Sequence, residues 1–111
     1  MAISTHIDLY VPTEHPCYEG HFPGNPIVPG ALLLQWISDH AREVFNLRIT
    51  GVKQMKFLAP VKPNDHCIVE FDLLKAESGH DGAVIKVRCL RDSNIICKGA
   101  LLASHVFMDA S

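Results

Sequence analysis

One stretch of eleven residues, Gly20–Gly30, limits most strongly how this chain can fold. It reads GHFPGNPIVPG and holds three prolines and three glycines, so it can neither continue a helix nor lie inside a central strand. The apolar run ALLLQWI, residues 31–37, follows at once and is rich enough in Leu and Ala to form a helix. The sequence therefore predicts a stiff loop that leads directly into a helix N-terminus.

The junction between this loop and the helix has a chemical use. The first N–H groups of a helix have no intrahelical acceptor and carry partial positive charge, and Gly30 has no side chain to block access to them. A carboxylate or thioester oxygen can be bound and polarised there. His21, at the start of the loop, can move a proton next to such a carbonyl. The alternative interpretation is a plain turn in which His21 is an ordinary loop histidine.

The order of residues favours the chemical interpretation, because two segments resemble known family motifs. Residues 20–30 resemble the G-H-F-P-G-x-P-[IV]-x-P-G signature of the FabZ/FabA-type 3-hydroxyacyl-acyl-carrier-protein dehydratases. The segment KFLAPVKPND, residues 56–65, resembles that family's K-F-x-x-P-V-x-P-G-D segment. The short N-terminus is most similar to compact FabZ-like members found with aryl-polyene and related lipid pathways. Nearly the whole chain is covered, and the resemblance implies the hot-dog fold.

The resemblance also implies roles for individual residues. His21 is expected to remove the C2 proton of a 3-hydroxyacyl thioester, and the Gly30 amide to hold the thioester oxygen. The family carboxylate, fourteen positions after the histidine, is replaced here by Gln35, which can hold a hydroxyl or water but has no proton to give. Asp39, one helical turn later on the same face, is a possible substitute acid or else a solvated residue. Five further residues are expected to contact the substrate: Phe22, Pro23, Val28, Pro29 and Leu33.

Three functions are open from the sequence. The preferred one is a lyase that dehydrates a (3R)-hydroxyacyl thioester on an acyl carrier protein to the trans-2-enoyl thioester, in fatty-acid or polyene-type lipid biosynthesis. The second is a catalytically impaired hot-dog partner subunit of an active dehydratase. The third is a hot-dog acyl thioesterase, which the G-H-F-P loop disfavours. The expected partners are a phosphopantetheine-linked acyl carrier protein and a second hot-dog subunit, in a homodimer or a heterodimer.

Length and composition narrow the class of protein. The 111 residues predict a single hot-dog domain over positions 1–111. A hydrophobic content of 48% and a mean hydropathy of +0.13 are high for so short a chain, so we expect apolar surface to be buried against another subunit. A net charge of −2 argues against nucleic-acid binding. Neither a signal peptide nor an apolar run near ~18 residues is present, which predicts a cytoplasmic protein without a membrane role.

The cysteines and histidines show no metal-binding pattern. The four cysteines form no CxxC pair, and the seven histidines form no HxH or HxxxH pair. We therefore expect no metal, no disulfide and no cofactor. Cys67 and Cys89 fall on the apolar side of predicted strands and are interpreted as small buried hydrophobic residues.

The apolar pattern predicts one helix and about five strands, an α+β arrangement. The helix is predicted over Gly30–Phe45, and its first two turns are apolar on all sides, as in a helix covered by a surrounding sheet or by a dimer. Strands are predicted near residues 3–11, 49–57, 67–73, 83–89 and 94–107, with turns at 60–65, 77–82 and 92–94. The expected fold is an antiparallel sheet wrapped around one long central helix.

Overall fold

A computed structural model describes residues 2–18, 26–75 and 82–105. The elements follow in the order β1 (Ala2–Tyr10), a 3-10 turn (Pro16–Tyr18), α1 (Gly30–Phe45), β2 (Leu47–Phe57), β3 (His66–Lys75), β4 (Gly82–Arg91) and β5 (Asn94–His105). The predicted α+β class is confirmed, and α1 begins and ends at the predicted residues. The hairpin turn predicted at 77–82 lies outside the described residues except for Gly82, as does the end of the last strand beyond His105.

The strands form one antiparallel sheet in the order β1-β3-β4-β5-β2. The two strands that flank the helix in the sequence, β1 and β2, therefore lie at opposite edges of the sheet. The β4–β5 connection turns at Asp92 and Ser93, whose φ angles of 51° and 68° are those of a two-residue hairpin turn. The helix must cross the sheet to connect its two edges, and it covers one face on the way.

The core lies between one side of α1 and the inward side of the sheet. Alternate residues of two central strands are buried, and the prediction for Cys67 and Cys89 is confirmed: Cys67, Val69, Phe71 and Leu73 of β3, and Ile85, Val87 and Cys89 of β4. From the helix, Ile37 and Ala41 are fully buried. Phe45 packs edge-on against Phe71, with 6.0 Å between ring centroids. Period-two burial in the strands and a buried helix side together account for the core.

The chain buries only one side of its helix. Near the start of α1, Leu32 and Leu33 are buried, but Ala31 is exposed and Leu34 and Trp36 are half-buried. The sheet, one of the two covers expected for the first two turns, therefore packs on one side of the helix in the single chain. The other side stays open to solvent or to another subunit. No helix in the described ranges is both long and apolar enough to cross a bilayer.

Three cysteines meet in the core. Cys89 lies opposite Cys97 across the β4–β5 pairing, and Cys67, Cys89 and Cys97 have no solvent exposure. Burial raises the pKa of the Cys97 thiol to about 11 from its ordinary value of 9.0. A hydrogen bond with Cys67, together with burial, raises the pKa of Cys89. The Cys89 and Cys97 thiols therefore pack as neutral groups at neutral pH.

The raised pKa of Cys97 predicts a loss of stability in alkali. The folded state favours the neutral thiol, so its contribution is complete below the unfolded pKa of about 9 and is lost as pH rises toward about 11. We expect the free energy of unfolding, measured with urea at several pH values, to fall across this window. In Cys97→Ala this part of the pH dependence should disappear, although the cavity lowers stability at every pH. An identical pH slope in the two proteins would contradict the assignment.

Candidate active site

The start of α1 forms one wall of the candidate site. Pro29 precedes the helix with φ −59° and ψ 140°, and no side chain caps this end. The Pro29 carbonyl accepts hydrogen bonds from the N–H groups of Leu32 and Leu33, at 3.0 and 3.1 Å. Within the described part of the chain, no acceptor lies on the amides of Gly30 and Ala31. Two N–H groups at the positive end of the helix dipole are therefore available to a ligand oxygen.

An apolar cavity of about 310 Å³ opens beside these amides. It lies between the entry to the helix and the chain that leaves β2, and its lining is Ile27, Val28, Gly30, Leu33, Phe57, Leu58, Ala59, Pro60 and Val61. A Cβ on Gly30 would stand 3.2 Å from the Phe57 ring, so glycine lets this ring approach the helix start closely. The cavity is at the lower end of the size range of small-molecule pockets. It can hold part of an acyl chain next to a polarised carbonyl.

Two large apolar side chains of this cavity remain exposed. Phe57 and Leu58 keep 47% and 54% of their surface accessible, and adjoining exposed apolar groups often mark a binding or contact surface. Neither is among the residues that the sequence predicts for the site. The sequence signal that could have identified Phe57 and Leu58 is their place in the KFLAP segment, which ends at Pro60.

The structure brings three predicted site residues together and leaves others apart. Val28, Gly30 and Leu33 share the cavity, where Val28 and Leu33 are buried and form part of its inner wall. Pro29 is half-buried beside them at the helix start. Three predicted site residues of the preceding loop lie outside the described residues: His21, Phe22 and Pro23.

Gln35 and Asp39 do not line this cavity. Gln35 is exposed, and the Asp39 side chain is 50% exposed. The Asp39 carboxylate lies 3.8 Å from the Arg42 guanidinium, one helical turn further on. Within one chain, the free N–H groups at the start of α1 and the polar side chains of Gln35 and Asp39 therefore lie on different surfaces.

A histidine outside the predicted site, His15, lies close to the helix. The His15 ring packs edge-on against Trp36, with 5.9 Å between centroids, and its Nδ1 accepts the Cys17 N–H at 3.0 Å. A cavity of about 600 Å³ adjoins it, lined in part by Glu14, Tyr18 and Pro26. The sequence does not single out His15 for the site, since it stands in no motif. Because Nδ1 is an acceptor, Nε2 carries the proton of the neutral ring.

Comparisons with known proteins identify the family to which the sequence is similar. The family model described as ApeI-like, ApeI dehydratase, matches residues 2–99. A relative from Caldicellulosiruptor bescii, described as 3-hydroxyacyl-[acyl-carrier-protein] dehydratase FabZ, is 30% identical over 103 residues, or 83% of this chain and 71% of the relative. The predicted resemblance to FabZ-like dehydratases is therefore confirmed.

Two solved structures confirm the hot-dog fold. The (R)-hydratase from A. caviae involved in PHA biosynthesis has a TM-score of 0.76 at 14% identity, covering 95% of this chain and 96% of that one. The dehydratase heterocomplex ApeI:P from Xenorhabdus doucetiae has a TM-score of 0.65 at 16% identity, covering 92% of this chain and 88% of that one. At these identities the likeness concerns the fold. Since the family model spans residues 2–99, the chain belongs to the ApeI-like family of hot-dog dehydratases.

Proposed function

We propose that this chain is a 3-hydroxyacyl-[acyl-carrier-protein] dehydratase that converts a (3R)-hydroxyacyl thioester into the trans-2-enoyl thioester and water. Family membership supports the reaction class. The observation that carries the proposal is the pair of amides at Gly30 and Ala31, without acceptors among the described residues and next to an apolar cavity. An acyl thioester needs this combination of a polarising donor and a dry channel for its chain.

Each step of the elimination has a candidate residue. His21 takes the C2 proton as general base, while the Gly30 N–H stabilises negative charge that develops on the thioester oxygen. The electron pair from the C2–H bond forms the C2–C3 double bond, and the C3–O bond breaks. The leaving hydroxyl is held by Gln35 and departs as water with a proton from the acid form of Asp39. Exchange with solvent then takes the C2 proton from His21 and returns a proton to Asp39. The acyl chain contacts Val28, Pro29 and Leu33, with Phe22 and Pro23 completing the channel.

The proposed roles of Gln35 and Asp39 call for a second subunit, because neither residue lines the cavity of its own chain. Both project from the side of α1 that the sheet does not cover, where Leu34 and Trp36 are only half-buried. We propose that a second hot-dog chain packs on this side, so that Gln35 and Asp39 of one subunit serve the cavity of the other. A homodimer and a heterodimer both satisfy this geometry. The solved relative described as a dehydratase heterocomplex supports the second possibility.

Charge on the outward face of the sheet supports an acidic macromolecular partner such as a carrier protein. A groove on this face gathers four lysines on three strands: Lys53, Lys56, Lys86 and Lys98. Lys98 lies opposite Lys56, and like charges so paired are destabilising without a counter-charge. Arg88 and Asp72 also line the groove, but the Arg88 charge is paired with Glu70 and lies outside the proposed docking surface. Four lysines against one carboxylate leave this surface positive. We place the reaction in the cytoplasm, in fatty-acid or polyene-type lipid biosynthesis, with residues 1–111 acting as one domain.

A single assay distinguishes the proposed function from its alternatives. The purified protein is given a 3-hydroxyacyl thioester, and both the enoyl thioester and free thiol are measured. Enoyl product is the expected result. Free thiol without enoyl product would indicate an acyl thioesterase, and no reaction would indicate an impaired partner subunit. In the last case the assay is repeated with a co-purified hot-dog partner, where restored dehydration would identify the active assembly.

Asp39→Asn should lower kcat for dehydration by about 10²- to 10⁴-fold, because the amide cannot donate the proton that the leaving hydroxyl needs. Enoyl formation is followed by absorbance under saturating substrate. Glu43→Gln is a matched control, since Glu43 is an exposed carboxylate one turn further along the same helix. An unchanged rate in Asp39→Asn would remove Asp39 from the mechanism. The role of its carboxylate would then be the surface ion pair with Arg42.

A further inference from the structure

An ion pair holds the segment Pro60–Asp65, which contributes one wall of the cavity. Arg91, the last residue of β4, donates from Nη1 to the Asp65 carboxylate at 2.6 Å and to the Pro60 carbonyl at 2.8 Å. The same Asp65 oxygen accepts the Lys62 N–H at 2.8 Å. The side chains of Arg91 and Asp65 are 27% and 21% exposed. Of the ion pairs among the described residues, this pair is the best shielded from water.

Main-chain bonds fix the same segment to a neighbouring strand end. The Val11 N–H donates to the Asp65 carbonyl at 2.9 Å, and the Asn64 N–H donates to the Val11 carbonyl at 3.1 Å. Val11, which follows β1, therefore holds the segment at Asn64 and Asp65, and Arg91 bonds to both of its ends, Pro60 and Asp65. We call this arrangement of Arg91, Asp65 and the backbone of residues 60–65 the clamp.

The clamp bonds directly to the entry of the helix. The Val61 carbonyl accepts the Val28 N–H at 2.7 Å, and residues Val61 and Val28 are 2% and 5% exposed. Only Pro29 separates Val28 from Gly30, and the proline ring leaves little freedom in φ. A displacement of the Val61 carbonyl is therefore passed on to the Gly30 amide.

We propose that Arg91 and Asp65 are positioning residues for the dehydration. They hold the Val61 carbonyl in place, and through Val28 they set the direction and position of the Gly30 N–H. This inference rests on the proposed function. A donor that stabilises an oxyanion must lie about 2.7–3.1 Å from the developing charge, and a misplacement of about 1 Å can cost roughly 10²-fold in rate. An ion pair outside the lining of the cavity thereby controls the rate.

A second ion pair on the same strand provides a matched control. Arg88 pairs with Glu70 at 2.5 Å across the β3–β4 pairing, three residues before Arg91. It makes no hydrogen bond to residues 60–65 among the described contacts. Arg88→Gln therefore removes an ion pair between neighbouring strands without loosening the clamp, whereas Arg91→Gln loosens the clamp.

The test measures kinetics and hydrogen exchange on the full chain. Arg91→Gln should lower kcat on a 3-hydroxyacyl thioester by about 10- to 10²-fold with KM changed less than about threefold. Exchange of the Val28 amide hydrogen, measured by NMR, should become at least about tenfold faster, because its acceptor is no longer held. Arg88→Gln should leave both quantities at wild-type values. Arg91→Lys, which retains the charge, should recover much of kcat.

Each result either supports or overturns the role of the clamp. If Val28 exchange is the same in wild type and Arg91→Gln, the clamp does not hold the helix entry. If exchange accelerates while kcat of an active enzyme stays constant, the clamp holds the entry but does not serve the reaction. A wild-type protein without dehydration activity contradicts the proposed function, and the exchange measurement then decides the clamp by itself. If Arg91→Gln does not fold, Asp65→Asn is used instead, with the same expected fall in kcat and the same faster exchange of the Val28 amide.

Discussion

His21→Ala should lower kcat for dehydration by about 10²- to 10⁴-fold while the protein stays folded. The imidazole is the proposed general base, and a positioned base is typically worth that factor. Alanine removes the only group proposed to take the C2 proton but leaves the donors of the helix start and the apolar cavity unchanged. Substrate binding should therefore persist, with KM changed little. Enoyl thioester formation gives the rate, and circular dichroism with a thermal melt shows whether the fold is retained.

His15→Ala is the control for this prediction. His15 lies near the helix, with its ring against Trp36, and its loss should reduce activity far less than the loss of His21. His21→Gln adds a side chain that forms hydrogen bonds but does not act as a base near neutral pH, so it should be as inactive as the alanine variant. Full activity in His21→Ala, with loss of activity in His15→Ala, would transfer the base to His15 and overturn the assignment.

Gly99→Ala should destabilise the folded protein by about 3 kcal/mol or more, the upper part of the range for overpacking. A Cβ at Gly99 would lie 2.2 Å from the Gln54 carbonyl oxygen and 2.8 Å from the Met55 Cα on the neighbouring strand β2. Both are backbone atoms, so no side-chain rotation relieves the overlap. β2 would have to move away from β5 next to its irregularity between Val52 and Gln54. Urea unfolding at neutral pH measures the loss.

Gly51→Ala is the matched control in the same pair of strands. A Cβ at Gly51 would meet only the Leu102 Cδ1 at 3.8 Å, an ordinary van der Waals contact. Its stability should stay within about 1 kcal/mol of wild type, with a small gain from the reduced freedom of the unfolded chain. Equal stabilities of Gly99→Ala and Gly51→Ala would contradict the close approach of β2 and β5. A shifted β2 should also disturb Phe57, its last residue, which lines the cavity.

Local signals in the sequence were sufficient for the elements themselves. The helix starts where the proline- and glycine-rich stretch ends, and it stops at Asn46, whose φ of 52° is a left-handed helix cap. In β3 and β4, the alternation of apolar residues identified the buried faces, including Cys67 and Cys89. The order of residues in 20–30 and 56–65 was specific enough to identify the dehydratase family before any coordinates.

Contacts between distant parts of the chain were decided by the tertiary structure. Strand order placed β1 and β2 at opposite edges of the sheet, which left one side of the helix uncovered and Gln35 exposed. Register brought Phe57 against Gly30 and Arg91 against Asp65, 26 residues apart. Periodicity and turn propensity describe a segment and its neighbours in sequence, whereas pairing, register and loop closure depend on the whole chain at once. The sequence alone therefore determined the elements, the family and the candidate residues, and the tertiary structure decided which of them meet.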